Sequence, residues 1–244
     1  MFRQWLEGVS SIIPSQCALC RRWPSEPACR SCVGRFAGPR ARCATCALPL
    51  DAIRLARGDL RCARCTRKPP PLSACIAAVD YGYPWAECIA DFKFRGQAGW
   101  AGPLARLMQS APGAAGCIAS ADLVLPMPLS VERLRERGFN QALELARHLP
   151  GIARGRIRTD LLLRIRHTPA QSSLDRSRRL ANVRGAFSVE PLSAAALEGR
   201  RVLLVDDVMT SGASLYEAAS RLRQAGAAEV CGLVIARTDE ATGD

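Results

Sequence analysis

The chain has 244 residues, 48% hydrophobic and 23% charged, which excludes a disordered composition and leaves room for one sizeable core plus a small accessory module. No apolar run approaches the roughly 20 residues of a bilayer-spanning helix. The opening MFRQWLEGVSSIIPSQC lacks the continuous apolar region of a signal peptide, so a cytoplasmic protein without membrane insertion is expected. The net charge of +12 is uneven: residues 1–72 hold 13 Lys and Arg against 4 Asp and Glu, a local +9, and the rest contributes +3. A basic surface of this kind suits nucleic acid and, equally, simple solubility. The low aromatic content, 5%, weighs against an extensive base-stacking platform.

Phe2, Trp5, Leu6 and Val9 recur at helical spacing and suggest a short amphipathic helix. Twelve cysteines follow, eight of them in four C-x-x-C pairs before residue 66. Without an export signal, disulfides explain them less well than metal does. Cys17, Cys20, Cys29 and Cys32 are spaced C-x₂-C-x₈-C-x₂-C, and Cys43, Cys46, Cys62 and Cys65 are spaced C-x₂-C-x₁₅-C-x₂-C. Two tight knuckles complete one tetrahedral thiolate shell, which points to two structural Zn²⁺ sites that fold a segment too small for its own core. An iron–sulfur cluster is the alternative. Spacing leaves sequential and interleaved pairing both open. The two groups look like a tandem duplication. Cys75, Cys88, Cys117 and Cys231 read as small core side chains.

TRKPPPL, with Pro69, Pro70 and Pro71, reads as a stiff linker and sets the expected boundary between a cysteine-rich module, 1–72, and a second domain, 73–244. Apolar periodicity then predicts a strand over 73–81, a helix over 84–94 burying Trp85, Ile89 and Phe92, and a helix over 102–109. A buried strand over 123–128 runs into a proline-rich loop, and 129–149 is helical with a break near Gly138. Residues 161–165, 200–207 and 230–236 read as further strands, and 215–224 as a helix stopped by Gly226. Strands alternating with helices mean an α/β domain with a mostly parallel sheet.

Residues 202–214, VLLVDDVMTSGAS, carry the chemistry. Four apolar residues fit a strand buried on both faces. Asp206 and Asp207 follow at its carboxyl end, where open parallel sheets place ligands, and suit the vicinal hydroxyls of a ribose. Thr210, Ser211, Gly212, Ala213 and Ser214 lead into a helix whose free N–H groups can cradle a phosphate, with three hydroxyls beside them. Gly212 lets the backbone approach closely. A phosphorylated ribose is the expected ligand. A nucleoside triphosphatase is disfavoured because no G-x-x-x-x-G-K-[ST] occurs and Lys68 and Lys93 are the only lysines. Against 32 arginines, a lysine at 93 suggests a compact ammonium near phosphate. Asn140 reads either as a helix cap or as a pocket amide, and Arg133, Arg135 and Arg137 either as a solvated helix face or as phosphate ligands.

Together with FKFRG (92–96), PMPL (126–129), RGFNQA (137–142) and RHTPAQSSLDRSRRLANVRGAF (166–187), this segment resembles the ComF family. That family joins a double zinc ribbon to a type I phosphoribosyltransferase fold, a mostly parallel sheet flanked by helices, and is linked to DNA uptake and natural transformation. The likeness spans nearly the whole chain, with Ser211 and Ser214 standing where threonine is commoner. It implies PRPP (5-phosphoribosyl 1-diphosphate) as ligand with Mg²⁺, Asp206 and Asp207 on the ribose hydroxyls, and residues 210–214 on the 5′-phosphate. Met127, Pro128 and Leu129 would form a pyrophosphate loop, whose Met127–Pro128 bond can be cis at small cost. Residues 166–172 would form a mobile loop, with Arg166 at the reaction centre and Arg164 and Gln171 as contacts; His167 also falls there. The implied activity is phosphoribosyl transfer to an unidentified acceptor with release of pyrophosphate. The alternative is a non-catalytic accessory protein that grips single-stranded DNA or DNA-uptake proteins through its zinc ribbons, with PRPP as a regulatory ligand.

Overall fold

Each cysteine group folds around the same set of backbone hydrogen bonds. In the first, the Arg21 and Cys17 amides donate to the Cys17 and Arg22 carbonyls, and the Ala18 amide to the Pro27 carbonyl. In the second, Ala47 donates to Cys43, Cys43 to Leu48, and Ala44 to Leu60, the matching positions throughout. The residue after each first knuckle, Arg21 and Ala47, takes a positive φ of 62° and 57°. In each group a helix also begins directly after the third cysteine: α1, Arg30–Phe36, and α3, Ala63–Arg67, the latter preceded by α2, Ala52–Ala56. The duplication read from cysteine spacing is therefore a duplication of backbone geometry.

The computed structural model describes residues 15–166 and 183–239, so the helix expected at Phe2–Val9 lies outside the described residues. Contacts divide the chain into two compact units, Met1–Gly38 and Pro39–Asp244. In the first, Cys17, Cys29 and Cys32 form a small buried cluster with Leu19 and Phe36 against it.

The division at residue 38, and not at 72, differs from the sequence expectation for a physical reason. Cys43, Cys46, Ala47 and Cys65 are buried in one continuous core with Leu72, Leu204, Val234 and Leu215 of the α/β region. The Cys75 amide donates to the Ala44 carbonyl at 2.9 Å. Arg40 and Arg42 both reach Asp80, at 2.5 and 2.7 Å. The second cysteine group thus covers an edge strand that would otherwise expose unpaired backbone.

That strand is β1, Ala74–Asp80, and it starts a four-stranded sheet ordered β1-β6-β5-β2, with β2 Leu123–Pro126, β5 Arg201–Met209 and β6 Glu229–Arg237. All three ladders are parallel. Val202, Leu203, Leu204 and Val205 are each at most 2% exposed, as a strand covered on both faces requires. Helices α4 (Trp85–Phe94), α5 (Ala101–Ser110), α6 (Ala114–Ser120), α7 (Val131–Arg137) and α8 (Gln141–His148) connect β1 to β2 and β2 onward, and α9 (Ala213–Gln224) connects β5 to β6. Gly138, at φ 76°, ends α7 and makes the expected break.

Residues 161–165 do not join the parallel sheet as expected. β3, Leu162–Arg164, pairs antiparallel with β4, Phe187–Val189, in a separate two-stranded ladder. Of its three residues Leu162 alone is buried, too little apolar surface for a strand between two covered faces.

Candidate ribose-phosphate site and metal centres

β5 runs through the acid pair and ends at Met209, so Asp206 and Asp207 lie within the strand and point to opposite faces of the sheet. Cations approach from both sides. Lys93, in the last turn of α4, places Nζ 2.8 Å from Asp207 Oδ1. Arg164 of β3 lies close enough to Asp206 for each charge to act on the other, and its guanidinium stacks over the Phe187 ring at 5.3 Å. Arg133 of α7 is half-buried, within electrostatic range of both acids and of Arg164. Burial, then the Arg137 charge, lowers the Arg133 pKa; burial, then the Arg133 charge, lowers that of Arg164. Arg135 is exposed, so the arginine run divides by helix face, with Arg133 turned toward the acids.

Asp206 is the group most strained by this setting. Burial, and then the Asp207 carboxylate, pushes its carboxyl up to about 7, while Lys93 and Arg164 pull down without prevailing. Its Oδ1 accepts from the Asp207 amide at 2.9 Å. Two carboxylates ringed by three cations form a place where a polyhydroxyl, polyanionic ligand and a divalent ion can exchange partners with the protein.

The loop after β5 has the form expected for a phosphate cradle. Gly212 takes φ 80° as the N-cap of α9 and has no side chain of its own to cap the helix, which leaves first-turn amides beyond that of Ala213 for a ligand. A Cβ at Gly212 would lie 2.6 Å from Met209 Cε and from Tyr216 Cζ, so the position requires glycine twice over, by φ and by space. Thr210 is exposed and Ser214 half-buried. Ser211 differs from the expectation that its hydroxyl would face phosphate: it is 2% exposed and its Oγ accepts from the Ala213 amide at 3.4 Å, holding the turn from inside.

Met127, Pro128 and Leu129 follow β2 directly. The Met127 amide donates to Val205 at 2.9 Å, continuing the ladder past Pro126. The cis bonds among the described residues are Trp23–Pro24 and Tyr83–Pro84, so Met127–Pro128 is trans, in line with that continued pairing. Asn140 does two things at once. Its Oδ1 caps α8 by accepting from the Leu143 amide at 3.2 Å, and its Nδ2 donates to the Met127 carbonyl at 3.0 Å, tying helix to loop. Arg166 is exposed at the end of β3 and donates to the Arg184 carbonyl at 2.7 Å. His167 and Gln171 lie outside the described residues.

The eight paired cysteines gather into two groups in sequential order, each with its sulfurs within 4.8 Å of one another. Four sulfurs at about 2.3 Å from one tetrahedral ion lie about 3.8 Å apart. Cys20–Cys29 and Cys46–Cys62 are at 3.7 Å and Cys17–Cys32 at 4.0 Å, which fits a single ion per group. A multi-iron cluster would spread its ligands farther. Desolvation opposes ionisation of Cys17, yet the Cys20 and Cys29 amides bring it down to about 6. The Cys46 thiol, first among several donors, brings Cys43 down to about 4. Burial pushes their partners Cys32 and Cys65 up to about 12, so without an ion only part of each group favours the thiolate; four sulfurs closed around one point are nonetheless a structural donor set compatible with Zn²⁺.

The most informative residue absent from the sequence reading is Arg237, fully buried at the end of β6. A basic residue closing an apolar run, VIAR, is the signal that marks it, but from sequence it reads as the strand's exit to solvent.

A parallel sheet with an acid pair on a central strand, followed by a glycine-capped helix start, defines a phosphoribosyltransferase-type domain. A family model for the phosphoribosyl transferase domain matches residues 135–243. The chain is 30% identical over 236 residues to the DNA utilization protein YhgH of Escherichia coli O6:H1, covering 93% of this chain and 98% of that protein. It is 32% identical over 172 residues to competence protein F of Haemophilus influenzae (69% and 75%), and 36% identical over 117 residues to competence protein ComFC of Bacillus subtilis (48% and 45%). The chain belongs to the ComF family, a double cysteine-ribbon joined to a phosphoribosyltransferase fold. No helix among the described residues is long and apolar enough to cross a membrane.

Proposed function

We propose that this protein binds Mg²⁺-PRPP at the acid pair and transfers the phosphoribosyl group to an acceptor nucleophile. The observation that carries the reading is the convergence of Lys93, Arg133 and Arg164 on Asp206 and Asp207 beside the glycine-led start of α9. In this reading Asp206 and Asp207 hold the ribose hydroxyls and residues 210–214 hold the 5′-phosphate. Lys93, Arg133, Arg164 and Arg166 neutralise the pyrophosphate that leaves, Gln171 contacts it, and the loop of Met127, Pro128 and Leu129, fastened by Asn140, seats it. Bound Mg²⁺ supplies charge neutralisation to the diphosphate. The acceptor's lone pair forms a bond to ribose C1 as the C1–O bond to pyrophosphate breaks, the bonding electrons leaving with pyrophosphate and the acceptor's proton passing to solvent. The two cysteine groups hold structural Zn²⁺.

Calorimetric titration with Mg²⁺-PRPP is expected to show saturable binding that Asp206→Asn/Asp207→Asn abolishes, followed by pyrophosphate release when nucleobases are screened as acceptors. Unchanged affinity in the double variant would sink the assignment.

The second reading, a DNA-handling protein with PRPP as a regulatory ligand, draws on the basic surplus of residues 1–72 and on the names of the relatives. It predicts that the full chain binds single-stranded oligonucleotides with an affinity that falls steeply between 50 and 200 mM salt, by about sevenfold for every two phosphates contacted. An electrophoretic or anisotropy titration with no binding at the lower salt would remove it.

A further inference from the structure

Arg237 joins two sites that the sequence places 191 residues apart. Its Nε donates to the Cys46 carbonyl at 3.0 Å, inside the second cysteine group. Its Nη1 donates to the Met209 carbonyl at 3.1 Å and to the Thr210 carbonyl, the two peptides that open the phosphate loop, and to Thr238 at 2.7 Å. The side chain is fully buried, so the backbone carbonyls that meet its Nε and Nη1 help offset the cost of taking the guanidinium out of water.

The consequence for the loop follows from peptide planarity. Within one peptide the C=O and N–H point opposite ways. A Thr210 carbonyl drawn onto Arg237 therefore turns the Ser211 N–H away from the guanidinium, and the Met209 carbonyl does the same to the Thr210 N–H. These are the amides that lead into the α9 start. The planar fork of arginine can hold the carbonyls on both sides at once, which a lysine ammonium cannot. The Cys46 carbonyl in turn keeps its place only while the knuckle around it is intact: Cys43, Cys46 and Cys65 are buried, and the Cys46–Cys62 sulfurs sit at single-ion spacing.

We propose that Arg237 is a positioning residue that makes the phosphate-cradling geometry of residues 210–214 conditional on an intact, metal-holding second cysteine site. This rests on the phosphate-loop reading above. Loss of metal at residues 43–65 would then be felt as lost PRPP affinity, with no contact between that metal and the ligand.

The test compares the full-length wild type with Arg237→Lys, Cys62→Ser and the double variant. Bound zinc is counted, amide hydrogen exchange is read without ligand, and Mg²⁺-PRPP affinity is read by calorimetry. Arg237→Lys is expected to keep its zinc, to speed exchange of the 210–214 amides about fivefold or more while the 202–205 amides of β5 stay protected, and to weaken PRPP binding about tenfold. Cys62→Ser is expected to lose the second zinc and loosen the same amides. The double variant is expected to be no worse than the weaker single within about twofold, because both break one chain of contacts. Unchanged loop exchange in zinc-loaded Arg237→Lys, or fully multiplicative losses in the double variant, would overturn the proposal. If the wild type binds no Mg²⁺-PRPP, the functional assignment falls, while the ligand-free exchange comparison still decides the coupling. If Arg237→Lys does not fold, exchange in Cys62→Ser and in chelator-treated wild type decides, and protected 210–214 amides there count against it.

Discussion

Asp206→Asn is expected to melt later than the wild type at pH 8 and to bind Mg²⁺-PRPP far more weakly. In the folded chain burial and the neighbouring Asp207 push the Asp206 carboxyl from 3.8 to about 7. Unfolded, it ionises near its ordinary value. Between about pH 4 and pH 7 the folded state holds a proton that the unfolded state has released, so stability falls as pH rises through that window and the full cost stands above it. Asparagine removes the charge and keeps the oxygen that accepts from the Asp207 amide. The whole shift would amount to about 4 kcal/mol; with Asp206 half-buried and water in reach, about 2 kcal/mol is the expected gain. That is a rise in Tm of roughly 4–8 °C at pH 8 and little change at pH 4. Calorimetric scans at the two pH values check it, and equal melting temperatures at pH 8 would show that the carboxylate bears no such cost. A residue that weakens the fold while poised for a ligand is a familiar exchange of stability for function.

Lys93→Met is expected to destabilise the protein at pH 8 by about 2–3 kcal/mol, a breaking of one half of a desolvated pair. Lys93 Nζ sits 2.8 Å from Asp207, and the two side chains are only 17% and 9% exposed. Without the ammonium, Asp207 keeps a buried charge next to Asp206. Adding Asp207→Asn to Lys93→Met is expected to recover most of the stability, since the lone charge is then gone. Urea unfolding of the four proteins closes the cycle, and additive effects would show that the ion pair is not coupled.

Much of the site is legible in the chain because it is local. Val202–Val205, the acid pair and the glycine-capped helix start occupy consecutive residues, so one strand, one turn and one helix place them whatever surrounds them. The cysteine knuckles are readable for the same reason. Each is a short loop closed by its own backbone bonds, repeated with matching partners in the two groups. Lys93 stands out by composition alone, as one of two lysines among 34 basic residues.

What lies beyond local reach is how separate segments choose one another. The domain boundary expected at the proline linker gives way because residues 43–65 bury their cysteines against α9 and the sheet, an apolar match that no spacing records. Residues 161–165 look like a strand of the main sheet, yet burial on one face sends them to β4. Arg133 and Arg135 are chemically alike and two residues apart; helix rotation turns one toward the acids and the other to solvent. Arg237 is the clearest case. From the chain alone, residues 202–214 read as a loop suited to a ribose phosphate and eight cysteines as two knuckles of metal-ligand spacing. That one buried guanidinium joins them follows from packing, because its partners are backbone carbonyls, which carry no sequence signature and meet only when β6, the loop and the knuckle come together.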